Sequence, residues 1–291
     1  MFAFRLISRL PLSVLYLISD FLFLIICYVI QYRKRVIDGN LFYAFPEKSK
    51  AERDRIKRRF YRNFTDSFAE TVKLLTISKE ELDKRIKIEN SHLVLDKIIQ
   101  GEVVIGLTAH FFNWEASLLG IQSIVGHKSE VVYQKVNNPF FESLMQELRG
   151  RFGGKTVERK SFQRHFLRER NNPRLIILAA DQRPEITENR YWTSFMNRQT
   201  AFYEGAEKLA KKFDLRVVTA FVTKPKRGHY TFSYEVLAEP PFDTIHHSIT
   251  DRFVEQTERN IQQEPALYLW SHDRWKIKPP QPITDPTSNM A

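Results

Sequence analysis

Thr108-Ala-His110-Phe-Phe-Asn113-Trp-Glu115 links two apolar segments, a short run at 103–108 and a longer one at 116–125. The first is rich in β-branched residues, which is typical of a buried strand, and the second has the spacing of a helix. The sequence therefore predicts a strand, a loop that carries His110, and a helix that begins near Asn113. Ligands in open α/β sheets gather at the carboxyl ends of strands, so this loop is the first candidate for a site.

His110 and Glu115 are the two groups in this loop that suit acid–base chemistry. They are five positions apart, and on one continuous helix such residues point roughly 140° away from each other. Their side chains can meet only if His110 precedes the helix and Glu115 lies in its first turn, behind an Asn113 N-cap. This arrangement predicts a general base oriented by a carboxylate. The same spacing is common by chance, so the motif alone does not establish catalysis.

The charge balance indicates an anionic partner. Among 291 residues, 45 Lys and Arg outnumber 34 Asp and Glu, which gives a net charge of +11. Such an excess suits nucleic acid, a phospholipid surface, or an acidic carrier or substrate. The single cysteine, Cys27, excludes an internal disulfide and a multi-cysteine metal site, and the sequence has neither a Gly-x-Ser-x-Gly elbow nor a His-Glu-x-x-His motif. We therefore expect neither a metal nor a serine acyl-enzyme.

The N-terminal apolar run, residues 10–30, is about long enough to span a bilayer. Asp20 at its centre would cost roughly 2.5–3.5 kcal/mol in a lone spanning helix. A tilted or interfacial helix that leaves Asp20 in water is therefore an alternative, and a buried helix packed on the rest of the chain is another. Arg33-Lys34-Arg35 follows the run and favours anionic headgroups and a cytoplasmic flank. A nucleic-acid partner would leave the apolar run unexplained.

The rest of the chain alternates between helix-like and strand-like patterns. This favours an α/β fold with a mixed, mostly parallel central sheet flanked by helices and preceded by the N-terminal apolar helix. A loop is predicted over 40–47. Strands are predicted near 103–108, 130–134, 175–180, 216–222 and 230–237. Helices are predicted near 49–75, 113–125, 139–152, 161–169, 200–213 and 247–263.

Further candidate residues follow other predicted elements. Asp181 and Gln182 come after the apolar strand at 175–180, so they share a crevice with His110 if the two strands are parallel, although Asp-Gln-Arg-Pro is also a good turn sequence. Arg149 and Arg151 end a predicted helix, where they could bind phosphate, neutralise an oxyanion, or simply favour the helix C-terminus. The segment at 270–276 mixes aromatic and basic residues, which suits either a membrane-interface rim or plain packing.

The ordered set of these motifs resembles the lipid A biosynthesis (late) acyltransferase family, within the lysophospholipid-acyltransferase-like superfamily. The resemblance covers nearly the whole chain. It rests on the apolar N-terminal run, Asn40-Leu-Phe-Tyr-Ala-Phe-Pro-Glu47, His110-x4-Glu115, Val132-Tyr-Gln-Lys135 with Asn138-Pro139, the Arg149/Arg151 region, Asp181-Gln182, Thr200 with Gly205-Ala-Glu-Lys-Leu-Ala210, and Trp270-Ser-His-Asp-Arg-Trp275. Ser194-Phe-Met-Asn197 departs from the Phe-Phe-Gly-like element of many relatives. A Phe-Pro-Glu-Gly-type block is absent, which argues against a phosphatidic-acid enzyme.

The resemblance implies a glycerolipid acyltransferase-like fold and the transfer of a fatty acyl chain from acyl carrier protein thioester to a hydroxyl of a lipid A precursor. It implies that His110 is the general base and that Glu115 orients it. It also places substrate-binding residues near them: Asn113, Arg149 or Arg151, and Asp181 with Gln182. A thioester has a good leaving group, so neither a covalent intermediate nor a cofactor is required.

The composition of the chain and the resemblance together predict a domain organisation and a location. We expect residues 1–32 to anchor the chain in the bacterial inner membrane, residues 33–278 to form an acyltransferase domain that faces the cytoplasm, and residues 279–291 to be a disordered tail. The expected partners are acyl carrier protein, a lipid A precursor or related glycolipid, and the anionic membrane surface, with no nucleic acid. Two alternatives stay open: acyl transfer to another lipid acceptor, such as an aminolipid or a glycolipid mannoside, and a non-catalytic basic protein that binds lipid.

Overall fold

The strands of the computed structural model, which describes residues 2–185 and 190–279, form a large sheet and a separate hairpin. They are β1 (Ile86–Glu89), β2 (Val103–Thr108), β3 (Ser129–Tyr133), β4 (Lys155–Glu158), β5 (Arg174–Ala179), β6 (Arg190–Phe195), β7 (Arg198–Tyr203), β8 (Arg216–Lys226) and β9 (His229–Ala238). The sheet has the order β1-β9-β8-β2-β5-β3-β4, and β6 pairs with β7. Only the β8–β9 pair within the sheet is antiparallel. The prediction of a mixed, mostly parallel sheet is confirmed.

Helices flank the sheet and join most of its parallel strands, as crossover connections require. They are α1 (Phe2–Ser8), α2 (Leu12–Leu24), α3 (Lys34–Ala44), α4 (Lys50–Leu74), α5 (Lys79–Arg85), α6 (His92–Ile99), α7 (Trp114–Val125), α8 (Pro139–Arg149), α9 (Arg159–Arg168), α10 (Gly205–Phe213) and α11 (Ser248–Gln263). A π-helical turn, Ile25–Val29, extends α2. The predicted helices at 49–75, 113–125 and 247–263 agree with α4, α7 and α11 within one residue at each end.

Several predicted boundaries were wrong, and tertiary contacts explain most of the differences. The predicted loop at 40–47 begins inside α3. Asparagine is a poor helix former. Here the Asn40 side chain donates to the carbonyls of Trp270 (2.8 Å) and His272 (2.9 Å), and these contacts stabilise the helix. The helix predicted at 139–152 ends at Arg149. The helix predicted at 200–213 begins only at Gly205, since residues 200–203 belong to β7. β1 and β4 were not predicted, because strands of four residues each are too short to show a recognisable alternation of apolar and polar residues.

The β6–β7 hairpin contains the segment Ser194-Phe-Met-Asn197. Its two-residue turn is Met196-Asn197, with φ values of 48° and 62°, as a type I′ turn requires. Asparagine tolerates this left-handed conformation, so the turn forms without glycine. The Asn197 amide contacts the carbonyls of Tyr43 and Ala44 at 3.4 Å. The hairpin is thereby attached to the end of α3.

The central strand β2 determines where the site lies. Its first three residues are almost fully buried, and it pairs in parallel with β5 on one side and with β8 on the other. Thr108 lies opposite Ala179 in the β2–β5 register. The carboxyl ends of these two strands are therefore neighbours, and the loops that carry His110 and Asp181 begin side by side.

The N-terminal apolar run is broken into α1, α2 and the π-helical turn. Leu12–Val29 is long and apolar enough to cross a membrane, but length and composition alone are weak evidence because a core helix or a signal sequence passes the same test. One face of α2, with Leu12, Leu15 and Phe23, is buried against the rest of the chain. The expected N-terminal apolar helix is confirmed. The predicted disordered tail, residues 279–291, lies outside the described residues except for Pro279.

Candidate active site

His110 lies in the short loop between β2 and α7, and its backbone is fixed by the segment that follows α11. The carbonyl of His110 accepts a hydrogen bond from the Leu269 amide (3.0 Å), and the Phe112 amide donates to the Leu267 carbonyl (2.9 Å). An isolated bridge between Phe111 and Tyr268 lies between these two bonds. The position of the imidazole therefore depends on backbone pairing that would persist if the side chain were removed.

The carboxylate that holds the imidazole belongs to Asp181. His110 Nδ1 lies 2.7 Å from Asp181 Oδ1, and Asp181 is almost fully buried. A carboxylate at Nδ1 keeps the proton on that nitrogen and leaves Nε2 as the basic nitrogen. The side chain of His110 is 23% exposed, so a substrate has access to the ring.

The electrostatics of this pair suit a general base. Burial lowers the pKa of His110, but the charge and hydrogen bond of Asp181 outweigh it, so the pKa lies above its ordinary value. Burial raises the pKa of Asp181, but His110, through its charge and hydrogen bonds, and the charge of Arg274 hold it below its usual range. Asp181 therefore stays ionised and can stabilise the imidazolium that forms when His110 accepts a proton. Gln182 Nε2 lies beside the ring, 3.4 Å from His110 Nε2.

Glu115 occupies the predicted place on α7 but does not make the predicted contact. Asn113 caps α7, since its Oδ1 accepts from the amides of Glu115 (3.2 Å) and Ala116 (3.3 Å), and Glu115 lies in the first turn. Its carboxylate accepts from Arg149 Nε (2.9 Å) and from Trp114 Nε1 (3.1 Å). The predicted contact between Glu115 and His110 is thus wrong, because a guanidinium is the stronger partner for a buried carboxylate. The charge of Glu115 still helps to raise the pKa of His110.

Arg149 and Trp114 connect the Glu115 carboxylate to the histidine. Arg149 ends α8 and binds Glu115 with two nitrogens, and its guanidinium lies 5.8 Å from the centre of the Tyr133 ring. The Trp114 ring packs edge-on against His110 at 5.5 Å. Burial lowers the pKa of Arg149, but Glu115 keeps it above the ordinary value, so the cation is permanent. The site therefore combines an imidazole with a fixed positive charge, and a fixed cation of this kind can stabilise an oxyanion.

The Glu115–Arg149 pair should contribute strongly to stability, because both side chains are largely buried (5% and 18% exposed). Replacing Glu115 by leucine would leave a buried guanidinium unpaired, and we expect the free energy of unfolding to fall by about 3–5 kcal/mol. The double variant Glu115→Leu/Arg149→Met should recover most of that loss. Denaturant titration of the detergent-solubilised protein measures both.

The exposed pair Lys79–Asp83 provides the matched control for this prediction. Both side chains are about half exposed, although the two charges lie only 2.6 Å apart. Asp83→Ala should therefore cost less than about 1 kcal/mol. Equal costs for Glu115→Leu and Asp83→Ala, or a double variant no more stable than Glu115→Leu, would contradict the assignment of a buried pair.

Two residues predicted to bind substrate are engaged with the protein itself. Arg151 donates to the carbonyls of Leu74 and Ile77 (2.8 Å to the latter), so it closes the C-terminal end of α4. Both polar groups of the Asn113 side chain are used, since its oxygen caps α7 and its nitrogen donates to Glu70 at 3.2 Å. In the structure, both side chains therefore bind the backbone and side chains that frame the site. Asp181, Gln182 and Arg149 are the predicted residues that the structure brings around His110.

Sequence reasoning missed Glu70, which lies directly behind the N-cap of α7. Its buried carboxylate accepts from the hydroxyls of Tyr16 and Tyr230, both at 2.9 Å, and from Asn113. Burial raises the pKa of Glu70, offset in part by the charge of Lys224. The only hint in the sequence is that Glu70 lies one helical turn after Asp66. Because the helix contains many charged residues, both would be expected on its exposed surface. Such a pattern is too common to single out one residue.

The closing segment, residues 266–275, is a largely buried part of the structure next to the site. Trp270 and Trp275 are buried, so the aromatic residues pack in the core and do not form a membrane-interface rim. Arg274 is buried too, donates to the Ala201 carbonyl (2.6 Å), and lowers the pKa of Asp181 by its charge. Within the described ranges, no group of three or more His, Cys, Asp or Glu side chains could hold a metal ion. The ionisable groups that the structure brings together at the site are the His110 imidazole, the Asp181 carboxylate and the Glu115–Arg149 pair.

The relatives of the chain agree with one another. The model of the bacterial lipid A biosynthesis acyltransferase family matches residues 1–277. The chain is 24% identical over 251 residues to the lipid A biosynthesis myristoyltransferase of Escherichia coli (strain K12) and to the lipid A biosynthesis acyltransferase 1 of Shigella flexneri, covering 84% of this chain and 75% of each relative. It is 24% identical over 253 residues to the lipid A biosynthesis acyltransferase of Haemophilus influenzae, covering 85% of this chain and 78% of that protein.

These matches bear on the whole chain and not on one motif. The family match begins at residue 1 and includes the apolar N-terminal helices, the sheet and the closing Trp270–Trp275 segment. The α/β architecture and the histidine at the carboxyl edge of the sheet provide a site of the kind that acyl transfer to a hydroxyl needs. The protein is therefore an acyltransferase, and it belongs to the bacterial lipid A biosynthesis acyltransferase family.

Proposed function

We propose that this enzyme transfers a fatty acyl group from an acyl carrier protein thioester to a hydroxyl of a lipid A precursor, with His110 as general base. The observation that carries the proposal is the His110–Asp181 pair, in which a buried carboxylate 2.7 Å from Nδ1 leaves Nε2 as the basic nitrogen. An acceptor hydroxyl is a weak nucleophile until a base removes its proton during attack. The relatives named above are lipid A biosynthesis acyltransferases, which supports the choice of acceptor.

The reaction balances without a covalent enzyme intermediate. The acceptor oxygen attacks the thioester carbonyl while its proton passes to His110 Nε2, and a tetrahedral oxyanion forms. The C–S bond then breaks, and the imidazolium returns the proton to the departing thiolate. The products are an ester on the lipid and the free thiol of the carrier. Asp181 stabilises the imidazolium during this sequence, and Arg149 provides a fixed positive charge for the oxyanion.

Glu115 acts through Arg149 in this mechanism. It binds the guanidinium through two nitrogens and also accepts from Trp114, whose ring packs on the imidazole. Glu115 therefore positions the cation and the aromatic wall of the site and is not the orienting partner of the base. Its loss should reduce turnover through the displacement of Arg149.

The choice of an acidic carrier as donor is supported by a basic helix beside the site. Lys160, Arg164 and Arg168 are exposed along α9. The N-terminal end of this helix reaches the segment that follows Asp181, since Arg159 Nη1 lies 3.4 Å from Glu185 Oε1. A carrier protein bound by these cations would deliver its thioester from the same side as His110. Charge complementarity of this kind mainly accelerates encounter and selects the partner.

Charge reversal on α9 should weaken the binding of acyl carrier protein specifically. We expect Lys160→Glu/Arg164→Glu to lower kcat/KM for the acyl carrier protein thioester by about tenfold, or about 1.4 kcal/mol. The same variant should use the corresponding coenzyme A thioester at an unchanged rate. The control Lys50→Glu/Lys79→Glu changes the net charge equally at two exposed lysines on other helices. An equal loss in both double variants would assign the effect to net charge and contradict a docking surface on α9.

We also propose that the enzyme works on the cytoplasmic face of the bacterial inner membrane. Exposed apolar side chains along α1 and α2, together with the net charge of +11, suit an anionic lipid surface. An acyl carrier protein donor requires that the site face the cytoplasm.

The experiment that tests the function is an acyl-transfer assay in phospholipid vesicles with acyl carrier protein thioester and a tetra-acylated lipid A precursor. The wild type should increase the mass of the precursor by one acyl chain, and His110→Ala should not. Parallel reactions with an aminolipid and a glycolipid mannoside test the other acceptors. Transfer only to one of those would replace the proposed acceptor. Vesicle binding by both proteins, without transfer to any acceptor, would overturn the proposed reaction.

A further inference from the structure

The contacts of α2 show how the apolar N-terminal segment is held. α2 runs antiparallel to α4: the Tyr16 hydroxyl donates to Glu70 (2.9 Å), the Ser19 hydroxyl donates to Asp66 (2.7 Å), and Asp20 pairs with Arg62. As the residue number rises on α2, the number of its partner on α4 falls. The two helices therefore lie side by side along their length.

The pairing continues beyond both ends of the apolar window Leu12–Val29. At one end, Lys73 Nζ donates to the Leu10 carbonyl (3.2 Å) and Thr76 binds the Ser8 carbonyl (2.9 Å). At the other end, the Tyr61 hydroxyl donates to the Tyr32 carbonyl (2.8 Å), and the Tyr32 ring stacks on Phe64. The whole apolar window therefore lies beside α4, which is a charged helix.

The composition of α4 excludes it from the hydrocarbon region. The stretch that accompanies α2 contains Lys57, Arg58, Arg59, Arg62, Asp66, Glu70 and Lys73. If α2 crossed the bilayer in this conformation, these charged residues would be carried to every depth of the membrane, where ionised side chains are strongly disfavoured. A spanning orientation therefore requires that α2 first separate from α4.

Separation would break an ionic cluster that is built on the buried carboxylate of Asp66. Arg227, in the turn between β8 and β9, donates to Asp20 Oδ1 (2.6 Å) and to both oxygens of Asp66 (2.6 and 2.9 Å). Asp66 is almost fully buried. Asp20, which is unfavourable in a lone spanning helix, is thus one member of a cluster that joins α2 to the sheet. Loss of α2 would remove Asp20 from Arg227 and the Ser19 hydroxyl from the buried Asp66, which would leave that buried carboxylate with one donor fewer.

The opposite face of α2 is apolar and open. Leu17 is 70% exposed and Phe21 is 64% exposed, which is unusual for side chains of this size. The same exposed face includes Val14, Ile18, Leu22, Leu24, Tyr28, Val29 and Ile30, with Phe2 and Leu6 on α1. Exposed arginines lie on α1 and directly after it (Arg5, which pairs with Glu147, and Arg9) and on α4, the helix beside α2 (Arg58 and Arg59). An apolar face with cations nearby fits the surface of an anionic lipid leaflet.

We propose that α1, α2 and the π-helical turn lie in the plane of one leaflet, with the Leu17–Phe21 face among the acyl chains and α4 on the aqueous side. The proposal rests on the membrane association proposed above and decides between the spanning and interfacial orientations. The segment would then hold the active site at a fixed height over the leaflet that contains the lipid acceptor, because Tyr16 on α2 and the N-cap Asn113 both bind Glu70.

Depth measurements on single cysteines test the orientation. Cys27 is the sole cysteine, so a Cys27→Ser protein can carry one new cysteine at Val14, Leu17, Phe21 or Leu24, labelled with an environment-sensitive fluorophore. Each protein is bound to phosphatidylcholine–phosphatidylglycerol vesicles with nitroxide groups placed either near the headgroups or near the bilayer centre. We expect all four positions to be quenched mainly by the shallow nitroxide and to share one depth.

Other outcomes would overturn the proposal. A depth that varies along the helix, deepest at Phe21, would show a spanning orientation. Quenching of all four labels by aqueous iodide in the presence of vesicles would show that the face does not contact lipid. The control position is Ile99, an exposed apolar residue on α6, which should stay accessible to iodide. Sedimentation with vesicles is measured first: if the protein does not sediment, membrane association itself fails, whereas acyl transfer is decided by the separate enzymatic assay.

Discussion

His110→Ala should lower acyl transfer by about two to four orders of magnitude, the range expected when a general base is lost. Nε2 of His110 is the nitrogen that the Asp181 contact leaves basic, so without the imidazole the acceptor proton has no comparable receiver. Turnover is measured at saturating donor by the mass gain of the lipid A precursor. A folded His110→Ala protein with near-normal turnover would contradict the mechanism.

The loss of acyl transfer in His110→Ala should come from the missing imidazole and not from unfolding. The backbone of the loop is held by the carbonyl of Leu267 and the amide of Leu269, and these bonds do not involve the imidazole. Circular dichroism and thermal unfolding of His110→Ala should therefore resemble those of the wild type. His92→Ala, at an exposed position in the first turn of α6, is the matched control and should retain wild-type turnover.

The parts of the fold that sequence predicted are those with strong local periodicity. β2 and β5 consist mostly of apolar residues, and α7 begins at an asparagine N-cap, so their positions could be predicted within a residue or two. The parallel pairing of β2 with β5 then places His110 and Asp181 at one edge, as expected for an α/β sheet. The hairpin β6–β7 was missed because its strand β7 runs directly into the predicted helix at 200–213.

The roles of the two carboxylates could not be predicted, because they depend on contacts between distant parts of the chain. Glu115 is close to His110 in sequence, yet Arg149, 34 residues away, takes its carboxylate. Asp181, 71 residues from His110, makes the contact that Glu115 was predicted to make. A motif defined by spacing identifies the residues that gather at a site, but it does not specify which of them touch.

The N-terminal run shows the same limit. Composition predicts an apolar helix and marks Asp20 as an unfavourable residue for spanning. The partners of Asp20, which are Arg62 and Arg227, lie 42 and 207 residues away. No local pattern identifies them, so the sequence left spanning, interfacial and buried helices as alternatives. The pairing with α4 is the additional information that favours the interfacial one.

Asp181→Asn should separate the two carboxylates by their effect on the pH profile. The base must be neutral to accept a proton, so activity falls as the pH drops below the pKa of His110. Asp181 raises that pKa against the opposing effect of burial. Without its charge, burial should dominate, the pKa should fall, and the acidic limb of kcat/KM should move to lower pH. The maximal rate should also fall, by about two orders of magnitude or more, because an amide can donate to Nδ1 and stabilise the wrong tautomer.

Glu115→Gln is the control that shows whether the shift of the acidic limb is specific to Asp181. Glu115 contributes less than Asp181 to the raised pKa of His110, and its carboxylate binds Arg149 and Trp114. We therefore expect its acidic limb to move less than that of Asp181→Asn, while its maximal rate falls through the displaced guanidinium. Profiles of kcat/KM against pH for the wild type and both variants measure the difference. If Glu115→Gln shifted the limb further than Asp181→Asn, Glu115 would be the orienting carboxylate after all, and the 2.7 Å contact of Asp181 would be structural.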